Sequence, residues 1–208
     1  MLFTRNESFA FGKRSRFLFP ISGWKRLMEL FYCMPGTVDG CVRLLKAGNV
    51  LAISPGGVRE ACFSDPSRYN LLWNNRQGFA KIIHQSGIPV IPMFTRNCRE
   101  AFRVPGFLRE TLQRFYDRTK IPLIPLYGYF PVKMKTYLGP PLTFDSSEDT
   151  VEAIRDDVLK AVESLIQQHQ PLPGSILRGI AERFMTINTL AAMPPTVLSI
   201  KGSPCFVS

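Results

Sequence analysis

The stretch Asn49–Phe63, NVLAISPGGVREACF, decides how the chain is read. Val50–Ile53 is a short, unbroken apolar run of strand length, as expected of a fully buried strand. It ends abruptly in Pro55-Gly56-Gly57, and Arg59 and Glu60 follow at once. A loop at the carboxyl end of a buried strand is where open α/β sheets usually place ligands. Gly56 and Gly57 permit unusual backbone angles and let a ligand approach the amides closely. Arg59 can hold an anion in a bidentate fork, or pair with an acid such as Glu60. On its own the loop leaves a second reading open, a plain turn carrying a solvated Arg–Glu pair.

Working outward, Gly36–Gly48 (GTVDGCVRLLKAG) predicts a helix that Thr37 caps and Gly48 closes, with Cys41, Leu44 and Leu45 on one face. Asp65–Asn75 reads as polar loop. Phe79, Ile82 and Ile83 mark a second helix ended by Gly87, and Ile88–Phe94 (IPVIPMF) a second buried strand. A helix over Gly106–Arg118 carries Leu108, Leu112 and Phe115 on one face. Within Leu126–Leu142 (LYGYFPVKMKTYLGPPL), Val132, Met134, Thr136 and Leu138 alternate with Lys133, Lys135 and Tyr137, which predicts one apolar and one cationic face. Val151, Ile154, Val158, Ala161 and Leu165 then recur at helical spacing, with Ser146 or Ser147 as cap. Helices alternating with short buried strands predict an α/β domain with a mixed, largely parallel sheet flanked by helices.

Three regions are expected. Residues 1–32 form a basic, aromatic segment. Its core, FAFGKRSRFLFPISGWKRLMELFY (Phe9–Tyr32), suits a membrane interface, although a half-buried amphipathic helix fits it too. Residues 33–184 form the α/β domain, and residues 185–208, rich in Pro, Ser and Thr, a disordered tail. No clean membrane span is visible, since Phe184–Ile200 is broken by Pro194-Pro195.

At 208 residues, 45% hydrophobic and 20% charged, the chain is a folded globule rather than a disordered one. Its net charge of +10 favours anionic partners without choosing among them. No zinc spacing or aromatic RNA-binding motif supports a nucleic-acid partner. Five cysteines without a C-x-x-C pair read as reduced thiols and no metal site. The glycine-rich nucleotide-loop and serine-hydrolase signatures are absent.

Taken together, SPGGVREA (Ser54–Ala61) and RQGFAKIIHQSGIPVIPMFTRN (Arg76–Asn97) resemble the later blocks of the glycerolipid acyltransferase superfamily. Pro55, Gly56, Gly57 and Glu60 match the P-G-G block of its diacylglycerol acyltransferase 2-like branch. Arg59 stands where the broader family has its phosphate-binding arginine. Arg76, Gly78 and Phe79 resemble the helix-entry segment, and Ile88–Pro92 the apolar fourth block. FTRNCREAF (Phe94–Phe102) and Leu126–Leu142 are similar to the transmembrane protein 68 group of that branch. The resemblance covers about Phe17 to Phe184.

The resemblance implies an enzyme of glycerolipid synthesis that moves an acyl group from acyl-CoA to a mono- or diacylglycerol hydroxyl. It implies acyl-CoA as co-substrate with no cofactor or metal, a membrane surface, and the cytosolic face of the endoplasmic reticulum. Pro55, Gly56, Gly57, Arg59 and Glu60 become the expected substrate-binding residues, with Glu60 orienting Arg59 or the acceptor. The family's catalytic block is His-x4-Asp, in which histidine deprotonates the acceptor and aspartate orients the imidazole. Here His84 is followed five positions on by Pro89, and His169 by Gly174. No catalytic residue is therefore assigned. The chain reads as a shortened form, incomplete at the N-terminus and of little activity alone. The alternative is a non-catalytic truncated isoform that binds a membrane or a partner.

Overall fold

The computed structural model describes residues 7–12, 26, 30, 33–65, 67–73, 75–119, 127–185 and 205–207. Most of the basic, aromatic segment lies outside these residues. Strands β1 (Glu7–Gly12) and β2 (Cys33–Gly36) lead into α1 (Val38–Lys46) and β3 (Val50–Ile53). Then come α2 (Gly57–Phe63), α3 (Gly78–Ser86), β4 (Val90–Arg96), the one-turn α4 (Cys98–Ala101) and β5 (Phe102–Arg103). The chain continues through α5 (Gly106–Thr119), β6 (Tyr127–Gly128), β7 (Lys135–Leu138), α6 (Val151–His169), α7 (Ile176–Met185) and β8 (Cys205–Val207). The α/β class holds.

Strand order in the main sheet is β2-β1-β3-β8-β4-β7, and β5 and β6 form a separate antiparallel pair. β4 and β7 run antiparallel, with Thr95 opposite Thr136, and Leu142 bridges back to Val90. β8 runs parallel to both neighbours, with Phe206 opposite Ala52 of β3 and Ile91 of β4. Three residues within the expected tail thus sit inside the sheet.

Local chemistry explains the ends of the elements. α1 closes through paired bonds from Gly48 N–H to the Leu45 carbonyl (3.0 Å) and from Asn49 N–H to the Leu44 carbonyl (3.2 Å). Gly48, at φ +84°, supplies the left-handed residue that this closure needs. α6 is capped by Thr150, whose hydroxyl accepts from Ala153 N–H at 3.2 Å. Ser147 instead closes a turn onto Asp145, which corrects the expected cap.

The core lies where α1 packs on α3, α3 on α6 and α6 on β4. Cys41, Leu45, Leu51, Ile83, Val90, Ile154 and Val158 are buried there. β3 buries Leu51 and Ile53 and leaves Val50 and Ala52 half-buried, so one of its faces is less enclosed than expected. α5 buries Tyr116, which packs against Phe63, whereas Phe115 of the expected face remains partly exposed. The Lys135–Leu138 alternation also needs correction. Met134 and Leu138 are exposed, and Tyr137, expected on the cationic face, stacks on His169 at 3.7 Å. As the outermost strand, β7 covers its side chains only where α6 reaches it.

Candidate functional site

The Pro-Gly-Gly turn is filled from within. The Arg76 guanidinium donates to the carbonyls of Pro55 (3.1 Å) and Gly56 (2.6 Å) and so closes the loop from the α3 side. From the other side, Glu60 folds back against the Gly56 α-carbon. A methyl group at Gly56 would meet Glu60 Cδ at 2.6 Å, with Oε2 closer still. Gly57 adopts φ +54°, and a methyl there would meet Arg76 Nη1 at 2.9 Å. Each glycine of the pair therefore makes room for one charged side chain.

Glu60 accepts a hydrogen bond from Leu72 N–H at 2.8 Å and pairs with Arg99 at 3.5 Å; both charged side chains are 14% exposed. Burial raises the Glu60 pKa above its ordinary value, while the Leu72 amide, Arg99 and Arg76 pull it back. Arg99 also lies over the Tyr69 ring, 4.8 Å from its centroid, and donates to the carbonyls of Asp65 (3.3 Å) and Asn70 (3.2 Å). Tyr69, at φ +57°, donates its hydroxyl proton to Oε2 of the fully buried Glu100. Glu100 Oε1 is buried without a hydrogen-bond partner, and burial pushes the Tyr69 pKa far up.

This network forms one wall of a cavity of about 500 Å³. Leu71, Met93, Phe94, Val104, Val162 and Ile166 give it a largely apolar interior, and Arg99, Arg103 and Arg109 join Glu60 as its charged lining. Cys98, an exposed residue, also lines it.

Of the five expected substrate-binding residues, Glu60 lines the cavity, and Pro55, Gly56 and Gly57 form the turn that seats it. Arg59 points to α5 and pairs with Asp117 at 3.4 Å, near the surface. Glu60 is therefore oriented by Leu72 and Arg99. His84 is half-buried in the last turn of α3 and His169 stacks on Tyr137; neither lines the cavity. Tyr69, Arg99, Arg103 and Arg109 also line the cavity, and the sequence reading did not single them out. The density of charge in FTRNCREAFR (Phe94–Arg103) is a signal for Arg99 and Arg103; Tyr69 and Arg109 lie outside that stretch.

With the turn, its buried acid and the adjoining cavity in view, comparison with known proteins is direct. The model of the diacylglycerol acyltransferase family matches residues 17–169, and the chain belongs to that family. It is 41% identical over 185 residues to the Gallus gallus protein named DGAT1/2-independent enzyme synthesizing storage lipids, covering 89% of this chain and 55% of that one. To the Homo sapiens protein of the same name it is 44% identical over 168 residues, 81% of this chain and 51% of the other. A more distant relative is 2-acylglycerol O-acyltransferase 1 of Mus musculus, 23% identical over 143 residues, 59% of this chain and 43% of that protein. The chain spans about half the length of the curated relatives it matches. No solved structure matches it.

Proposed function

We propose that the chain is the substrate-holding part of a glycerolipid acyltransferase that uses acyl-CoA to esterify a mono- or diacylglycerol hydroxyl. The observation that carries this reading is the cavity, an apolar chamber of about 500 Å³ with one polar wall. That size falls within the roughly 300–1,000 Å³ of small-molecule pockets. An acyl chain lies along Met93, Phe94, Val162 and Ile166, and its reacting end meets the wall that carries Glu60. In the reaction the acceptor hydroxyl attacks the thioester carbonyl, a C–O bond forms and the C–S bond breaks. The hydroxyl proton ends on the CoA thiol, so the reaction needs no redox cofactor. Glu60, fixed by Leu72 and Arg99, can accept a hydrogen bond from the acceptor hydroxyl and orient it. On this reading the sheet is the family's mixed, largely parallel one.

The reaction takes place at a membrane, on the cytosolic face of the endoplasmic reticulum. Among the described residues no helix is long and apolar enough to cross a membrane. Exposed Phe107 (84%) and Tyr129 (87%) suit a surface that rests on lipid. The same residues favour a second reading, a non-catalytic module that binds membrane. Flotation with anionic vesicles tests the membrane contact, and no binding at low salt overturns it.

An acyl-transfer assay with labelled palmitoyl-CoA and monoacylglycerol tests the first reading. The 208-residue chain is expected to bind palmitoyl-CoA. Its turnover is expected to fall about 10²–10⁴-fold below that of a relative carrying the His-x4-Asp base. Turnover matching the relative overturns the assignment of this chain to substrate holding alone, and failure to bind any acyl ligand overturns the family-based reading of the cavity.

A further inference from the structure

Among the described residues, two arginines of the cavity lining form no ion pair. Arg103 ends β5 and Arg109 lies in the first turn of α5. Both are half-buried and both line the cavity, yet the Nε atom of each is buried with no hydrogen-bond partner. Other arginines of the fold meet acids: Arg59 pairs with Asp117, Arg96 with Glu182, Arg99 with Glu60 and Arg155 with Asp156. Among the described residues no ion pair forms at Arg103 or Arg109. The Asp65 carboxyl feels the Arg109 charge, but two hydrogen bonds from Ser67 already hold it.

With Nε shut off from water and no acid paired with either fork, each guanidinium keeps its remaining N–H donors for an anion that enters the cavity. Arg59, the arginine in the family's phosphate position, is engaged with Asp117 and is not part of the cavity lining. The cavity the two guanidiniums line is otherwise largely apolar, with Phe102, Val104 and Met134 in its lining. Such a site suits a ligand with an anionic end and a hydrocarbon tail. Two guanidinium forks offer more donors than a carboxylate can accept well, and they match the several acceptor oxygens of a phosphate.

We propose that Arg103 and Arg109 form a phosphate site at the cavity, holding the phosphate end of a single-chain acyl ligand whose tail fills the apolar interior. The inference rests on reading the cavity as an acyl-chain groove. The phosphate belongs either to the CoA part of an acyl donor or to a lysophospholipid headgroup, and the chemistry at the two arginines is the same for both.

Binding to the whole chain tests this with four probes, each kept below its micelle concentration: palmitoyl-CoA, 1-palmitoyl lysophosphatidic acid, S-palmitoyl-N-acetylcysteamine and monopalmitoylglycerol. At least one phosphate-bearing probe is expected to bind about 10- to 100-fold more tightly than either phosphate-free one. R103Q and R109Q should each cost that probe about tenfold and leave the phosphate-free probes unchanged. R103K and R109K keep the charge but not the fork, and should fall between wild type and the Gln variants. A loss confined to palmitoyl-CoA assigns the site to the donor, and a loss confined to the lysolipid assigns it to a headgroup. If tails bind but phosphate confers no advantage in the wild-type chain, the phosphate site is overturned while the groove stands. If no tailed probe binds, both are overturned.

Discussion

Replacing Gly56 with alanine is the sharpest test of how the turn works. The backbone at Gly56 is right-handed helical, φ −67° and ψ −29°, a conformation alanine adopts freely. On backbone grounds alone G56A would stabilise the chain by about 0.4–1 kcal/mol, since alanine has less freedom to lose on folding. The new methyl, however, would lie within 2.6 Å of Glu60 Cδ and closer still to its Cβ, so the whole Glu60 side chain, carboxylate included, must leave its seat. That breaks the 2.8 Å bond from Leu72 N–H, a hydrogen bond to an ionised group worth about 1.5–3 kcal/mol. It also weakens the 3.5 Å pair with Arg99, a longer contact that adds about 1 kcal/mol.

With the backbone gain subtracted, the expected net loss is about 2–3 kcal/mol. At about 2–4 °C per kcal/mol for a chain of this size, Tm falls by about 4–12 °C. Urea denaturation followed by circular dichroism measures the loss, and E60A on top of G56A must cost less than E60A alone. G57A is the comparator. It adds left-handed strain at φ +54° but meets only the movable end of Arg76, so about 1–2 kcal/mol is expected. A G56A chain as stable as wild type, or additive costs in the double mutant, would refute the seating of Glu60 on Gly56.

Three further outcomes follow from the same wall. R99A removes the Glu60 pair, the Tyr69 contact and two carbonyl bonds and should cost about 2–4 kcal/mol, whereas R59A, whose partner Asp117 is 41% exposed, should cost under about 1 kcal/mol; urea midpoints compare them. Y69F leaves the buried Glu100 carboxyl without its donor, and a loss of about 2–4 kcal/mol is expected in the same assay. Folding raises the Glu60 pKa, so the folded chain binds that proton more tightly; wild type should therefore gain stability relative to E60Q as pH falls from 7 toward Glu60's ordinary value of 4.5, and the opposite slope refutes the assignment.

The alternation of apolar helix faces and short apolar runs made β3, α1, α3 and α6 legible, because burial against a sheet imposes those periods directly. β7 was misread for a physical reason. Period two states that Thr136 and Tyr137 point to opposite sides, but not which side another element covers, and at an outermost strand α6 decides that by stacking His169 on Tyr137. β8 carried no signal of its own, since three residues are too few to show a period. At the site, Pro55-Gly56-Gly57 was correctly placed at a strand end, but its occupants come from Arg76 and Glu60. Glu60 in turn is held by Arg99, 39 positions downstream, a pairing no local pattern reveals.

That pairing changes what the motif means chemically. Arg76, Glu60, Arg99, Tyr69 and Glu100 tie the Pro-Gly-Gly turn to the chain around Tyr69 and to α4 in one polar wall. The Pro-Gly-Gly block is therefore a way of seating a buried acid beside an apolar chamber, and its amides are not an open phosphate cradle. General-base catalysis needs a proton acceptor within about 2.6–3.2 Å of the acceptor hydroxyl, or one water away. Among the described residues lining the cavity, Glu60 is the single carboxylate, and it is already held by an amide and a guanidinium. Its fixed oxygens can orient a hydroxyl, but Oε2 already accepts from Leu72 N–H and Oε1 faces Arg99, so neither is free to turn onto a reacting proton. On the proposed function the base must therefore come from outside this wall, and a histidine placed opposite Glu60 would leave the Arg99 pair intact.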